Sequence, residues 1–307
     1  MNEDYKPVID NKFVEPEISK KILPILKSRK FFPFTVVGPT GAGKTYPIMQ
    51  ICARENIPLI RVNMTYETTE NELIGGFRLD DPNGNTVTVF EEGPVIKAME
   101  TGSILLLDEI DLATPQTLQC LMSILEGNGL YVKQTNKWIK PNDGFNIVAT
   151  ANTKGHGDDT GKYISTNILN EAFLERFVIT IDADYPSKEI EKEILMKFAP
   201  KSEKFIDRLI EWANQIRESV KKNGDLVYDI STRRLVHIMN TLEIFTNERE
   251  AVMMCINRFD THHRDSFISL YDSLGDSSQI DDNIEDEIRR KFEQNMMDRI
   301  SKIRQTI

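Results

Sequence analysis

The chain has 307 residues, 40% of them hydrophobic, which is enough for one large or two ordinary domains with real cores. Asp and Glu outnumber Lys and Arg by 48 to 38, a balance that repels phosphate backbones and argues against general nucleic-acid binding except through a local basic surface. No apolar stretch reaches the ~18 residues of a membrane span, and no basic segment followed by an apolar run opens the sequence, so a cytoplasmic protein is expected with no membrane partner.

In chain order, residues 1–17 are polar, contain Pro7 and Pro16, and predict an arm ahead of a helix bearing Ile18, Ile22 and Ile25. From Phe34 onward, short apolar runs at 34–37, 59–62, 104–107, 145–149 and 177–181 alternate with helical patterns. That alternation predicts an α/β core built on a five-stranded parallel sheet. Thr69 and Glu72 fit a capping box, and Gly75-Gly76 with Pro82-Asn83-Gly84-Asn85 mark an insertion near 75–92 before a helix starting at Pro94. Thr114 as N-cap and Pro115 at the first position predict one helix with Leu118, Leu121, Met122 and Leu125 on its apolar face, ending at Gly127. The stretch 128–144 reads as an inserted β-hairpin. After Pro186 the strands stop, and residues 187–275 predict a smaller helical lid, so that 18–186 is the core. Residues 276–307 are charged but repeat Ile284, Ile288, Phe292, Met296, Ile300 and Ile303 at helical spacing, an amphipathic helix. Cys52, Cys120 and Cys255 lie far apart in apolar helical patterns and are expected to be buried and reduced. His156, His262 and His263 lack carboxylates or thiols at ligand spacing and are expected to be ordinary loop or surface residues.

The strongest chemical signal is Gly38-Pro39-Thr40-Gly41-Ala42-Gly43-Lys44-Thr45, a complete G-x-x-x-x-G-K-T between a β-branched strand and a helical pattern. Glycines let successive N–H groups turn inward on phosphates, Lys44 adds charge at the β and γ groups, and the Thr45 hydroxyl suits Mg²⁺. Pro47 falls in the first turn of the following helix, where its missing N–H has no intrahelical partner to lose. A second signal is Ile104-Leu-Leu-Leu-Asp108-Glu109, which puts two carboxylates at the carboxyl edge of a parallel sheet. Asp108 is expected to hold Mg²⁺ partly through water, and Glu109 to polarise the water that attacks the γ-phosphate of ATP. Asn152 closes the run N-I-V-A-T-A-N and should emerge at the same edge.

These motifs resemble the AAA+ ATPases, with D-E-I-D as Walker B and A-T-A-N as sensor 1. G-P-V-I-K-A-M-E-T-G and L-N-E-A-F-L-E-R-F narrow the resemblance to the MoxR and dynein-related branch, and the run at 152–170 is similar to the CobS-type ATPase subunit of aerobic cobaltochelatase. The resemblance covers roughly residues 30–240 and implies a homo-oligomeric ring, a hexamer, with ATP between neighbours. It implies that Arg176 is an arginine finger acting on the adjacent subunit and that Arg233, with Arg234 as the rival, is the sensor 2 arginine. It also implies that the two insertions face the ring pore, with Phe77, Arg78, Tyr131 and Trp138 as client contacts. The partner implied is a protein of von Willebrand A type, or the metal-holding subunit of a cobalt chelatase. A nucleic-acid translocase, using Lys133, Lys137 and Lys140, and a non-catalytic nucleotide switch are the alternatives from other classes.

Overall fold

A computed structural model of the chain describes residues 5–81, 86–155, 157, 166–198, 203–223, 228–245 and 247–276. These residues form two compact units that divide between Asp184 and Tyr185.

In the first unit the order is α1 (Ser19–Ser28), β1 (Phe34–Val37), α2 (Thr45–Arg54), β2 (Leu59–Asn63), α3 (Glu70–Ile74), β3 (Gly75–Asp80), β4 (Val87–Glu92), α4 (Pro94–Thr101) and β5 (Ile104–Asp108). It continues through α5 (Pro115–Leu118), α6 (Met122–Leu125), β6 (Leu130–Val132), β7 (Lys137–Ile139), β8 (Asn146–Ala151), α7 (Glu171–Leu174) and β9 (Ile179–Asp182). Five strands make one sheet in the order β2-β5-β8-β1-β9, and every pairing is parallel. The central strands β1, β5 and β8 are buried at every residue, as strands covered on both faces must be. Alternation then sorts their side chains: Leu105, Leu107, Ile147 and Ala149 join α4 and the 118–125 segment in one core. Phe34, Val36, Ile104, Leu106 and Val148 join Ile22, Leu26, Ile48 and Ile51 of α1 and α2 in the other.

The capping box closes as expected, with Glu72 N–H on Thr69 Oγ1 at 3.3 Å and Thr69 N–H on Glu72 Oε2 at 2.8 Å. Thr114 caps α5 by accepting from Thr117 N–H at 3.3 Å. The single helix expected from 114 to 127 is instead two four-residue α-turns separated by a 3₁₀ step at Gln119–Leu121. The tighter step brings residues three apart into line, so Leu118, Leu121 and Ile124 face the core while Met122 is only half-buried. The insertion at 75–92 contains the antiparallel hairpin β3–β4, with Phe77 opposite Phe90. Its strands carry mostly exposed residues and so lack the half-buried alternation that marks a strand. The second hairpin, β6–β7, lies where the sequence predicts it, with Tyr131 opposite Trp138.

The second unit is helical: α8 (Lys188–Phe198), α9 (Glu203–Asn223), α10 (Thr232–Leu242), α11 (Glu248–Ile256) and α12 (Thr261–Asp276). Leu195, Leu209, Trp212, Leu235, Ile238 and Tyr271 belong to its core, and the Trp212 indole N–H donates to Phe267 O at 2.8 Å. Glu191 sits fully buried in that core, paired with Arg217 at 2.8 Å and accepting from the Thr232 hydroxyl at 2.6 Å. The helix expected over 276–307 lies outside the described residues apart from Asp276, as does His156.

Candidate functional site

The loop from Gly38 to Lys44 leaves β1 and runs into α2. Gly41 (φ 76°) and Gly43 (φ 82°) take the left-handed backbone that only glycine adopts without strain, which lets the loop curl. Gly38 is required for another reason: a Cβ there would lie 2.2 Å from the carbonyl oxygen of Ala183, just past the neighbouring strand β9. Because β8 lies between β1 and β5 and all three run parallel, the loop after β1, Asn152 after β8 and the acids ending β5 emerge at one sheet edge.

There the predicted residues meet. Lys44 is only 8% exposed, and its ammonium donates to Gly38 O (2.7 Å), Pro39 O (3.0 Å) and Asn152 Oδ1 (2.9 Å). Thr40 Oγ1 also donates to Asn152 Oδ1, at 3.2 Å. The Thr45 hydroxyl donates to Asp108 Oδ1 at 2.7 Å, and the Thr150 hydroxyl donates to the same oxygen. Glu109 follows with φ 57° and ψ 47°, an uncommon backbone for a residue with a Cβ, and its N–H donates to Thr150 Oγ1 at 3.1 Å. Oxygen donors from one hydroxyl and one carboxylate, beside a lysine-bearing phosphate loop, fit a hard cation such as Mg²⁺ carried by a nucleotide.

Arg176 is not drawn into this network: its guanidinium pairs with Glu126 Oε1 (2.8 and 2.7 Å) and donates to Ala172 O. In the second unit, Ser231 caps α10 by accepting from Arg234 N–H, and the two arginines of its first turn differ. Arg233 is exposed, whereas Arg234 is half-buried, and burial together with Arg258 holds its pKa below the usual arginine range. At the two hairpins Phe77 is 59% and Trp138 66% exposed, and Arg78 is paired with Glu91.

Three participants are missing from the sequence-based set. Arg61 of β2 donates through Nε (3.0 Å) and Nη2 to Asp108 Oδ2. Thr150 ties Asp108 to the Glu109 backbone. Asp111, fully buried, accepts at Oδ2 from Asn152 N–H (2.9 Å), Thr153 N–H (2.9 Å) and Thr153 Oγ1 (3.1 Å), joining the loop after β5 to the end of β8. The available signals were the second aspartate in D-E-I-D, the hydroxyl in A-T-A-N, and an arginine at the third position of a strand ending at the same sheet edge.

A parallel sheet with this strand order, carrying a G-x-x-x-x-G-K-T loop beside a strand-end aspartate, defines a P-loop ATPase of AAA+ architecture. The chain carries an AAA domain of the dynein-related subfamily. That family's model matches residues 33–177, and a CbbQ/NirQ/NorQ C-terminal model matches 191–275. An uncharacterized protein of Staphylococcus haemolyticus is 31% identical over 232 residues, covering 73% of this chain and 82% of the relative. The aerobic cobaltochelatase subunit CobS of Sinorhizobium is 30% identical over 216 residues, covering 68% of this chain and 65% of that protein. A RuvB mutant of Thermotoga maritima superposes with a TM-score of 0.52 at 15% identity, covering 96% of this chain and 92% of that one, a likeness of fold.

Proposed function

We propose that this chain hydrolyses Mg-ATP at the Gly38–Thr45 loop, within a ring of copies of itself, and uses the cycle to remodel a partner protein. The observation that supports this most is that Lys44 is hydrogen-bonded to Asn152 and the adjacent Thr45 to Asp108, two pairs that meet at one sheet edge. The loop N–H groups and Lys44 hold the β and γ phosphates, and Lys44 can exchange its carbonyl partners for phosphate oxygens. Thr45 directly and Asp108 through water would hold Mg²⁺, which when bound neutralises charge on the phosphates. Glu109 takes the proton of the attacking water, and Asn152 orients that water or the γ-phosphate. Arg176 acts in trans on a neighbour's site, stabilising transition-state charge, after leaving Glu126; Arg233, the more exposed of its pair, is the sensor 2 arginine.

The two hairpins carry the exposed aromatics Phe77, Tyr131 and Trp138, which suit contact with a polypeptide client. The likeness to CobS supports a partner of chelatase or von Willebrand A type, with the metal and macrocycle held by another subunit.

Glu109→Gln tests the chemistry. Phosphate release should fall by about a hundredfold or more, as for loss of a general base, while ATP binding persists. An unchanged rate in that variant would leave a nucleotide switch rather than an ATPase. The same variant, locked with ATP, should retain the partner protein in a pull-down.

A further inference from the structure

Arg61 is a cation at the nucleotide edge for which the chemistry above has no use. It occupies the third position of β2, in register with Leu106 and two residues before Asn63, which pairs with Asp108. The Asp108 side chain is 6% exposed, so its carboxylate depends on the donors around it, whereas the Arg61 side chain is 45% exposed and reaches in from solvent. The two carboxylate oxygens are divided: Oδ1 accepts from Thr45 and Thr150, and Oδ2 accepts two N–H groups of Arg61. Thr45 donating to Oδ1 leaves the lone pairs of its hydroxyl oxygen directed away from Asp108, as a metal ligand must have them. Oδ2 is therefore the oxygen on which the water shell of a divalent cation would place its protons, and the arginine fork already donates there.

We propose that Arg61 and the divalent cation compete for Asp108 Oδ2, so that Arg61 sets the metal affinity of the nucleotide site. The proposal rests on the Mg-nucleotide site at Thr45 and Asp108. A guanidinium a few ångströms from a divalent ion opposes it electrostatically, and a carboxylate already neutralised by arginine is a weaker acceptor for the ion's hydrate. Being half-exposed and long, Arg61 can give way without unpacking the sheet, so the competition is reversible. Binding of Mg²⁺ would release the guanidinium from Oδ2, making the position of Arg61 a report of whether metal accompanies the nucleotide.

The test is Mn²⁺ binding in the presence of ADP, followed by electron paramagnetic resonance, for the full chain, Arg61→Met and Asp108→Asn, with circular dichroism to establish that each variant is folded. Arg61→Met keeps the stem and removes the charge. It should bind Mn²⁺ roughly tenfold more tightly than the unaltered chain, and its melting temperature should rise more with added Mg²⁺. Unchanged or weaker Mn²⁺ binding by Arg61→Met, while Asp108→Asn loses it, overturns the competition and leaves the metal site standing. Wild-type Mn²⁺ binding by Asp108→Asn overturns the site itself and the proposal with it.

Discussion

Asp111 shows how much one carboxylate does at this edge. Its Oδ2 takes three donors from Asn152 and Thr153, and no hydrogen-bond partner among the described residues reaches its buried Oδ1. Asp111→Ala would leave two backbone N–H groups without their acceptor, so a loss of about 2–4 kcal/mol in urea unfolding is expected. Because those N–H groups belong to Asn152 and its neighbour, the rate of ATP hydrolysis should fall as well. The residues Gly38–Thr45, Asp108, Glu109 and Asn152 were legible because glycine spacing and acids at a strand end are properties of consecutive residues. Arg61, Thr150 and Asp111 were not, because their importance comes from strand order: β2 and β8 must flank β5 before an arginine and a threonine can share one aspartate.

At the scale of elements, the N-terminal arm is tied to α2 by side chains of that helix. The Tyr46 hydroxyl donates to Asp10, Asp10 N–H donates to Gln50 Oε1 at 2.8 Å, and the Phe13 ring meets Tyr46 edge-on at 5.5 Å. The hydrogen bond from Tyr46 holds Asp10 below the usual carboxylate range, and burial followed by that bond pushes the Tyr46 hydroxyl up to about 12. A lowered acid contributes stability that is present above its unfolded pKa and lost as pH falls; a raised phenol contributes stability that is lost as pH climbs through its folded pKa. Docking of the arm is therefore expected to hold between about pH 4 and pH 10 and to weaken outside that range. Tyr46→Phe should remove one late-titrating tyrosinate from the absorbance titration and speed tryptic cleavage at Lys12. The buried Glu191–Arg217 pair makes a sharper prediction: Arg217→Met strands an unpaired carboxylate and should destabilise the helical unit by about 3–5 kcal/mol in denaturant. Helical periodicity announced this unit, yet its buried glutamate sits in a charged stretch, K-E-I-E-K-E, where nothing in the sequence separates it from its exposed neighbours. The 3₁₀ step at 119–121 was hidden similarly, because Leu118, Leu121 and Leu125 fit α-helical spacing as well as the broken form.

For the molecule as a whole, the strand count, the parallel sheet and the helical C-terminal part were readable because buried strands, loops and amphipathic helices alternate so regularly along the chain. If Arg176 completes a neighbouring site, hydrolysis per chain should fall on dilution, and a small admixture of Arg176→Ala chains should suppress activity by more than its share. Strict proportionality between activity and concentration, with simple dilution by the variant, would show each chain working alone. The left-handed backbone at Glu109 bears on the entire protein too. That conformation costs a side-chain-bearing residue about 1 kcal/mol and glycine little. Glu109→Gly should therefore melt later than the unaltered chain while hydrolysing almost nothing. If Glu109 is the base proposed above, a search for heat-resistant variants that ignored turnover would select against the machine it meant to improve, because the residue that holds the costly backbone would be the one that does the chemistry.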